Sequence, residues 1–99
     1  MKSKENLEQI LKKYKQYLRL EKSLSSNTVQ AYLNDVNKLF QYLEGKNVHP
    51  YDVTLEHLEN FSASLHDLGI QARSQARILS GIRSFYHHLV MDDYIQTDP

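Results

Sequence analysis

From Leu7 to Leu89 the apolar residues return every three or four positions, in four blocks, and nowhere do they alternate over a useful length. This spacing constrains the fold more than anything else in the chain, because it buries one side of a helix and cannot bury one side of a strand. In the first block, Leu7, Ile10, Leu11, Tyr14, Tyr17 and Leu18 form a stripe within residues 5–22, with most of the lysines outside it. The second follows a Ser25-Ser26-Asn27 turn in which Ser25 or Ser26 suits the N-cap. Its buried positions are Val29, Tyr32, Leu33, Val36, Phe40 and Leu43, and Gly45 predicts a stop just after Glu44. The connection 45–53 holds His49-Pro50, where proline disfavours helical geometry in the residue before it.

Thr54 then caps a third helix, with Glu56 in the first turn complementing the helix dipole and Leu55, Leu58, Phe61, Leu65 and Leu68 supplying its apolar positions, up to Gly69. The fourth helix starts between Ala72 and Gln75, with Ser74 as the expected cap. It places Ile78, Leu79, Ile82, Phe85, Tyr86 and Leu89 on one face. The expectation is an all-α fold, a compact bundle of four main helices with room for a short fifth, and with Ile95 folding back beneath it.

Ninety-nine residues suit one small domain over positions 1–99, and 40% hydrophobic content with three glycines and two prolines belongs to a folded chain. The absence of cysteine rules out disulfides and thiolate metal sites and is compatible with a reducing cytoplasm. The charged N-terminus is not a signal peptide, and no apolar run approaches the ~20 residues needed to span a bilayer. A soluble, intracellular protein is expected. Asp98-Pro99 reads as the edge of a linker, with further chain expected beyond residue 99.

Enzyme chemistry finds little support. There is no glycine-rich phosphate loop and no nucleophile elbow. His87 and His88 are neighbours that point about 100° apart on a helix, and His57 and His66 are more than two turns apart, so neither pair has metal-chelating spacing. The histidines are expected at the surface or its boundary, and Tyr14, Tyr17, Tyr32 and Tyr86 in the core with their hydroxyls at the surface. No metal, cofactor or small-molecule substrate is implied.

The net charge of zero hides a sorting of charge along the chain. Residues 1–22 carry seven Lys/Arg against three Glu, residues 47–67 four acids and no Lys or Arg, and residues 68–91 three Arg and no acid. The fourth helix is therefore apolar on one side and carries Arg73, Arg77, Ser80, Arg83, Ser84 and His87 on the other. The second helix shows Gln30, Asn34 and Lys38 outward. Both begin with small hydrogen-bonding residues, Ser25, Ser26, Asn27 and Thr28 on one and Ser74 and Gln75 on the other, and helix N-termini favour phosphate. Side by side, these faces hold the side chains used for phosphate and base-edge contacts in a DNA groove. The same serines also serve as plain caps, exposed arginines are ordinary on soluble proteins, and charge and periodicity alone leave both readings open. Gly81, inside the fourth helix at a cost of about 1 kcal/mol against alanine, is either a site of close approach or a tolerated weakness.

Two phrases go further. LRLEKSLSSNTVQAYLNDVNKLFQYL (Leu18 to Leu43) and SQARILSGIRSFYHHLVMDDYIQTDP (Ser74 to Pro99) stand in the order and spacing of the N-terminal core-binding domain of tyrosine site-specific recombinases. The chain resembles that Xer and phage-integrase family over nearly its whole length. The resemblance implies a SAM-like domain that grips one face of duplex DNA, its second and fourth helices reaching the major groove. It implies a separate C-terminal catalytic domain carrying the arginines, histidine and nucleophilic tyrosine, so this chain alone carries no catalytic residues. Its implied partners are duplex DNA and other recombinase protomers, and its setting is integration or chromosome-dimer resolution in a bacterial cytoplasm. Matching phrases carry the DNA-contact role to Ser25, Asn27, Thr28 and Tyr32 and to Arg77, Ser80, Arg83 and Ser84, with Tyr32 better suited to the core. Gly81 stands where the family often has alanine, and Asp98-Pro99 where Asn-Pro is commoner. The competing reading is a helical protein–protein module, with the first helix packing on a neighbouring protomer.

Overall fold

The computed structural model describes residues 5–99; Lys2 and Lys4, part of the basic surplus, lie outside the described residues. Four helices account for most of it: α1 (Leu7–Gln16), α2 (Ser26–Lys46), α3 (Leu55–Asp67) and α4 (Ala72–Met91). Among the described residues there is no strand, so the fold is all-α, as expected. A short 3-10 turn at Pro50–Asp52 stands between α2 and α3.

Three of the four helix N-termini carry a side-chain cap. Asn6 opens α1 by accepting the Gln9 amide at 2.8 Å, and Ser25 opens α2 by accepting the Thr28 amide at 3.3 Å. At α3 the Thr54 side chain accepts the His57 amide, while His57 Nδ1 accepts the Thr54 amide at 3.0 Å. A histidine thus takes the place of the usual Glu or Gln in a capping box. The expected cap at Ser74 is corrected: Gln71 is the N-cap of α4 and Ser74 lies exposed in its first turn. The side chain of Gln75 turns back and donates to the Ile70 carbonyl at 2.7 Å.

The C-termini share one device. After each helix a residue enters the left-handed region: Ser23 (φ 53°), Asn47 (φ 57°), Gly69 (φ 83°) and Asp93 (φ 60°). The amide that follows then bonds back to the last turn, Val48 to Leu43 and Ile70 to Leu65 at 3.1 Å, and Tyr94 to Leu89 at 2.8 Å. The apolar residue carrying that amide packs against the core in each case. In the first helix the equivalent bond, Leu24 to Leu18 at 3.2 Å, spans one residue more, because α1 widens into a π-helix over Tyr17–Glu21. This refines the single helix expected over 5–22. The stop expected at Gly45 is likewise corrected. Gly45 is helical, and Asn47 ends α2 because only there does the next residue, Val48, reach the core.

The core lies chiefly between α2 and α4, with Val36, Leu39, Phe40 and Leu43 facing Ile78, Ile82, Phe85 and Leu89, all almost fully buried. Phe85 is its centre, meeting Tyr14, Phe40 and Tyr86 edge-on with ring centroids 5.1, 5.6 and 5.1 Å away. Burying such a side chain stabilises by about 1.5–3 kcal/mol, and cutting Phe85 to alanine would cost about 3–5 kcal/mol.

Tyr14, Tyr86 and His88 depart from expectation toward greater burial, Tyr14 being 0% exposed with its hydroxyl on Ser84. The Tyr86 hydroxyl, expected at the surface, is inside and donates to the Pro50 carbonyl at 2.8 Å, tying the connection before α3 to α4. His88, expected at the boundary, is 2% exposed and lies against the Tyr14 and Tyr17 rings, with Asp92 3.3 Å from its Nδ1. His49 fixes the same connection from the other side, donating from Nε2 to the Glu5 carbonyl and accepting the Tyr51 amide at Nδ1. Ile95 does pack beneath the bundle.

Candidate nucleic-acid interface

α2 and α4 pack on each other, with Arg77 bonded to Asp35 across the contact, and the residues expected to act together fall at several separate places on the surface. Arg73, Arg77, Ser80 and Ser84 recur at i, i+4, i+7 and i+11 and form one stripe of α4. Arg73, Ser74, Arg77 and Ser80 are exposed; Ser84 is half-buried and accepts the Tyr14 hydroxyl at 3.2 Å, so it faces α1. Arg83 is also exposed but sits about 80° round the helix from Arg73. It borders the groove between α3 and α4, beside Leu58, Glu59 and Leu79.

The polar face of α2 divides as well. Ser25 and Asn27 are exposed at its start, and Thr28 is half-buried, its Oγ1 accepting the Ser25 hydroxyl at 3.0 Å. Gln30 and Asn34 bond to each other at 2.9 Å and line a groove shared with Lys12 and Lys15 of α1. Lys38 lies on the opposite flank, at the groove floored by Phe61 and Leu65 of α3. Tyr32 is half-buried against the core. Neither α2 nor α4 has an acid in its first turn, whereas α3 has Glu56, so two helix N-termini keep their partial positive charge.

The residue that sequence reasoning missed is Asp35. It lies wholly buried on the α4 side of α2, and Arg77 Nη1 donates to its Oδ2 at 3.0 Å. Its other oxygen, Oδ1, is buried without a hydrogen-bond partner. Burial pushes the Asp35 carboxyl up from its ordinary value of 3.8, and the Arg77 hydrogen bond and charge oppose that rise without cancelling it. Gly81 of α4 makes the arrangement possible, since a Cβ there would stand 2.6 Å from Asp35 Oδ2. A glycine in mid-helix opposite a lone carboxylate was the available signal. Lys12 and Lys15 were missed as neighbours of the α2 carboxamides because only the packing of α1 on α2 brings them there.

Among the described residues no group of three or more His, Cys, Asp or Glu could hold a metal ion, and no helix is long and apolar enough to cross a membrane.

Comparison with known proteins agrees with the resemblance read from the sequence. Residues 11–92 match the phage integrase, N-terminal SAM-like domain. The chain belongs to the phage integrase N-terminal SAM-like family. Relatives of this SAM-like domain include the tyrosine recombinase XerC of Pseudomonas syringae pv. tomato, 36% identical over 94% of this chain and 31% of that protein. The tyrosine recombinase XerD of Staphylococcus saprophyticus is 35% identical over 94% of this chain and 32% of its own length. The XerC of Leptospira interrogans is 33% identical over 98% of this chain and 32% of its own. The SAM-like chain thus spans about a third of the length of the curated relatives it matches. No solved structure matches it.

Proposed function

We propose that this domain is the DNA-binding part of a site-specific tyrosine recombinase and grips duplex DNA with the exposed faces of α2 and α4. The observation that carries the reading is the exposed edge of α4, Arg73, Arg77 and Ser80, on a helix that contains no acid and is joined to the middle of α2 by the Arg77–Asp35 bond. Exposed arginines suit phosphates, and hydroxyl and carboxamide side chains suit base edges and sugar–phosphate oxygens. Gln30 and Asn34, with Lys12 and Lys15, extend this surface on one side, and Lys38 extends it on the other. Arg83 and Ser84 stand off the main stripe and serve the edge of the contact. The named relatives are tyrosine recombinases, which supports strand-exchange chemistry carried by other parts of a longer protein in a bacterial cytoplasm, with this domain supplying grip rather than cleavage.

The test is titration of a labelled mixed-sequence duplex at several salt concentrations while backbone amide shifts are followed. Shifts are expected at the first turns of α2 and α4 and along the Arg73–Ser80 edge, with affinity falling steeply as salt rises. Shifts confined to α1, or none, would point instead to a protein partner such as a neighbouring recombinase protomer.

A further inference from the structure

Asp35 is wholly buried between α2 and α4, yet its side chain is paired with Arg77 through one oxygen only. As a stabilising device this is poor, because a buried ion pair roughly cancels its own desolvation and an apolar residue of similar volume does as well or better. What the pair achieves is geometric. A surface arginine is rich in rotamers, but here Nη1 is tied at 3.0 Å to a carboxylate seated in the space left by Gly81, while the Arg77 side chain remains 55% exposed. A guanidinium has five N–H donors in a fixed fork, so pairing through Nη1 leaves Nη2 and Nε for a second acceptor.

We propose that Asp35 is a positioning residue for DNA binding: it fixes Arg77 so that the remaining donors meet a backbone phosphate, and Gly81 supplies the space the carboxylate needs. Resting on the DNA-binding role proposed above, this makes a buried acid favour binding to a polyanion, the opposite of what its charge alone would do.

That reversal of sign is the test. The wild-type chain, Asp35→Ala, Asp35→Asn, Arg77→Ala and the double variant Asp35→Ala/Arg77→Ala are titrated with a labelled mixed-sequence duplex over a range of salt, with a thermal melt of each. Charge alone makes Asp35→Ala bind more tightly. Positioning makes it bind about tenfold more weakly, with a log–log salt slope lower by about 0.9, as for Arg77→Ala. The double variant should be no weaker than Arg77→Ala, and Asp35→Asn, which keeps an oxygen for Nη1, should recover most of the affinity. Unchanged or tighter binding by folded Asp35→Ala, with Arg77→Ala weakened, overturns the positioning role and leaves DNA binding standing. No binding by the wild type at low salt overturns both. Should Asp35→Ala fail to fold, NMR of the wild-type Arg77 guanidinium decides: hindered rotation about Nε–Cζ is expected with and without duplex, and free rotation in either state overturns the role.

Discussion

Asp35 and Gly81 meet so closely that a methyl group added at residue 81 would lie 2.6 Å from the carboxylate Oδ2 and 3.2 Å from the Asp35 Cβ. The second distance matters as much as the first, because rotating the carboxylate away does not move Cβ. Gly81→Ala is therefore expected to destabilise the domain by about 1–3 kcal/mol even though alanine is intrinsically favoured in a helix by about 1 kcal/mol. In an Asp35→Ala background the penalty should shrink, a coupling that urea denaturation of the four-member cycle would measure.

Arg77→Ala leaves a buried carboxylate without its partner. The expected loss is about 2 kcal/mol, near what an orphaned buried polar group costs. Equilibrium unfolding checks it. Arg83→Ala, which removes a side chain at the α3–α4 groove, should change stability by less than about 0.5 kcal/mol.

The acid side of the stability curve carries Asp35's signature. Its carboxyl is raised by burial in the folded chain, so the native state holds the proton more tightly than the unfolded state. Stability relative to Asp35→Asn is then greatest below the ordinary carboxylate value of about 4 and declines as pH rises through the raised value, after which the difference is flat. Unfolding both proteins in urea across that range should show the wild type losing ground to the variant with rising pH; a difference of the opposite slope would refute the burial argument.

Helix ends offer a stabilising change. Ser23 holds φ 53°, a conformation glycine adopts at little cost. Ser23→Gly should raise stability by up to about 1 kcal/mol, and Gly69→Ala, at φ 83°, should lower it by a similar amount. Thermal melts of the two variants should move in opposite directions.

Tyr86→Phe removes the hydroxyl that donates to the Pro50 carbonyl in the interior. A loss of about 1 kcal/mol is expected, with faster amide exchange over 49–53.

How much could be read in advance depends on the kind of signal. The helices and most of their buried faces followed from spacing: Leu39 is the buried apolar residue of α2 and α4 that the stripes left out, while Leu55 and Leu68, apolar positions of the third stripe, are exposed. Gly69 was a correct stop and Gly45 an incorrect one for the same reason. What ends a helix here is an apolar residue placed to turn back onto the core, Ile70 in one case and Val48 in the other, and glycine is only one residue able to precede it. Ser74 failed as a cap because Ile70 had already drawn the chain in, leaving Gln71 as the junction. The candidate face was legible as a list of side chains but not as a surface. Arg83 and Arg77 look equivalent in sequence, yet one borders α3 and the other is tied to α2. Asp35 was missed because a lone acid beside a stripe normally faces water, and the one hint, Gly81 in mid-helix, says that room exists without saying what fills it.

The repeated helix ending has a mechanical consequence. Each helix is fastened at its last turn by a bond to the preceding turn and an apolar residue set into the core, whereas each first turn rests on a few side-chain caps or none. Stiffness is therefore distributed along each rod, firm at one tip and compliant at the other. For α2 and α4 the compliant tips are the ones that present N–H groups outward, while the far ends act as anchors. Amide exchange along α4 should trace this gradient, quickest near Arg73 and slowest toward Leu89.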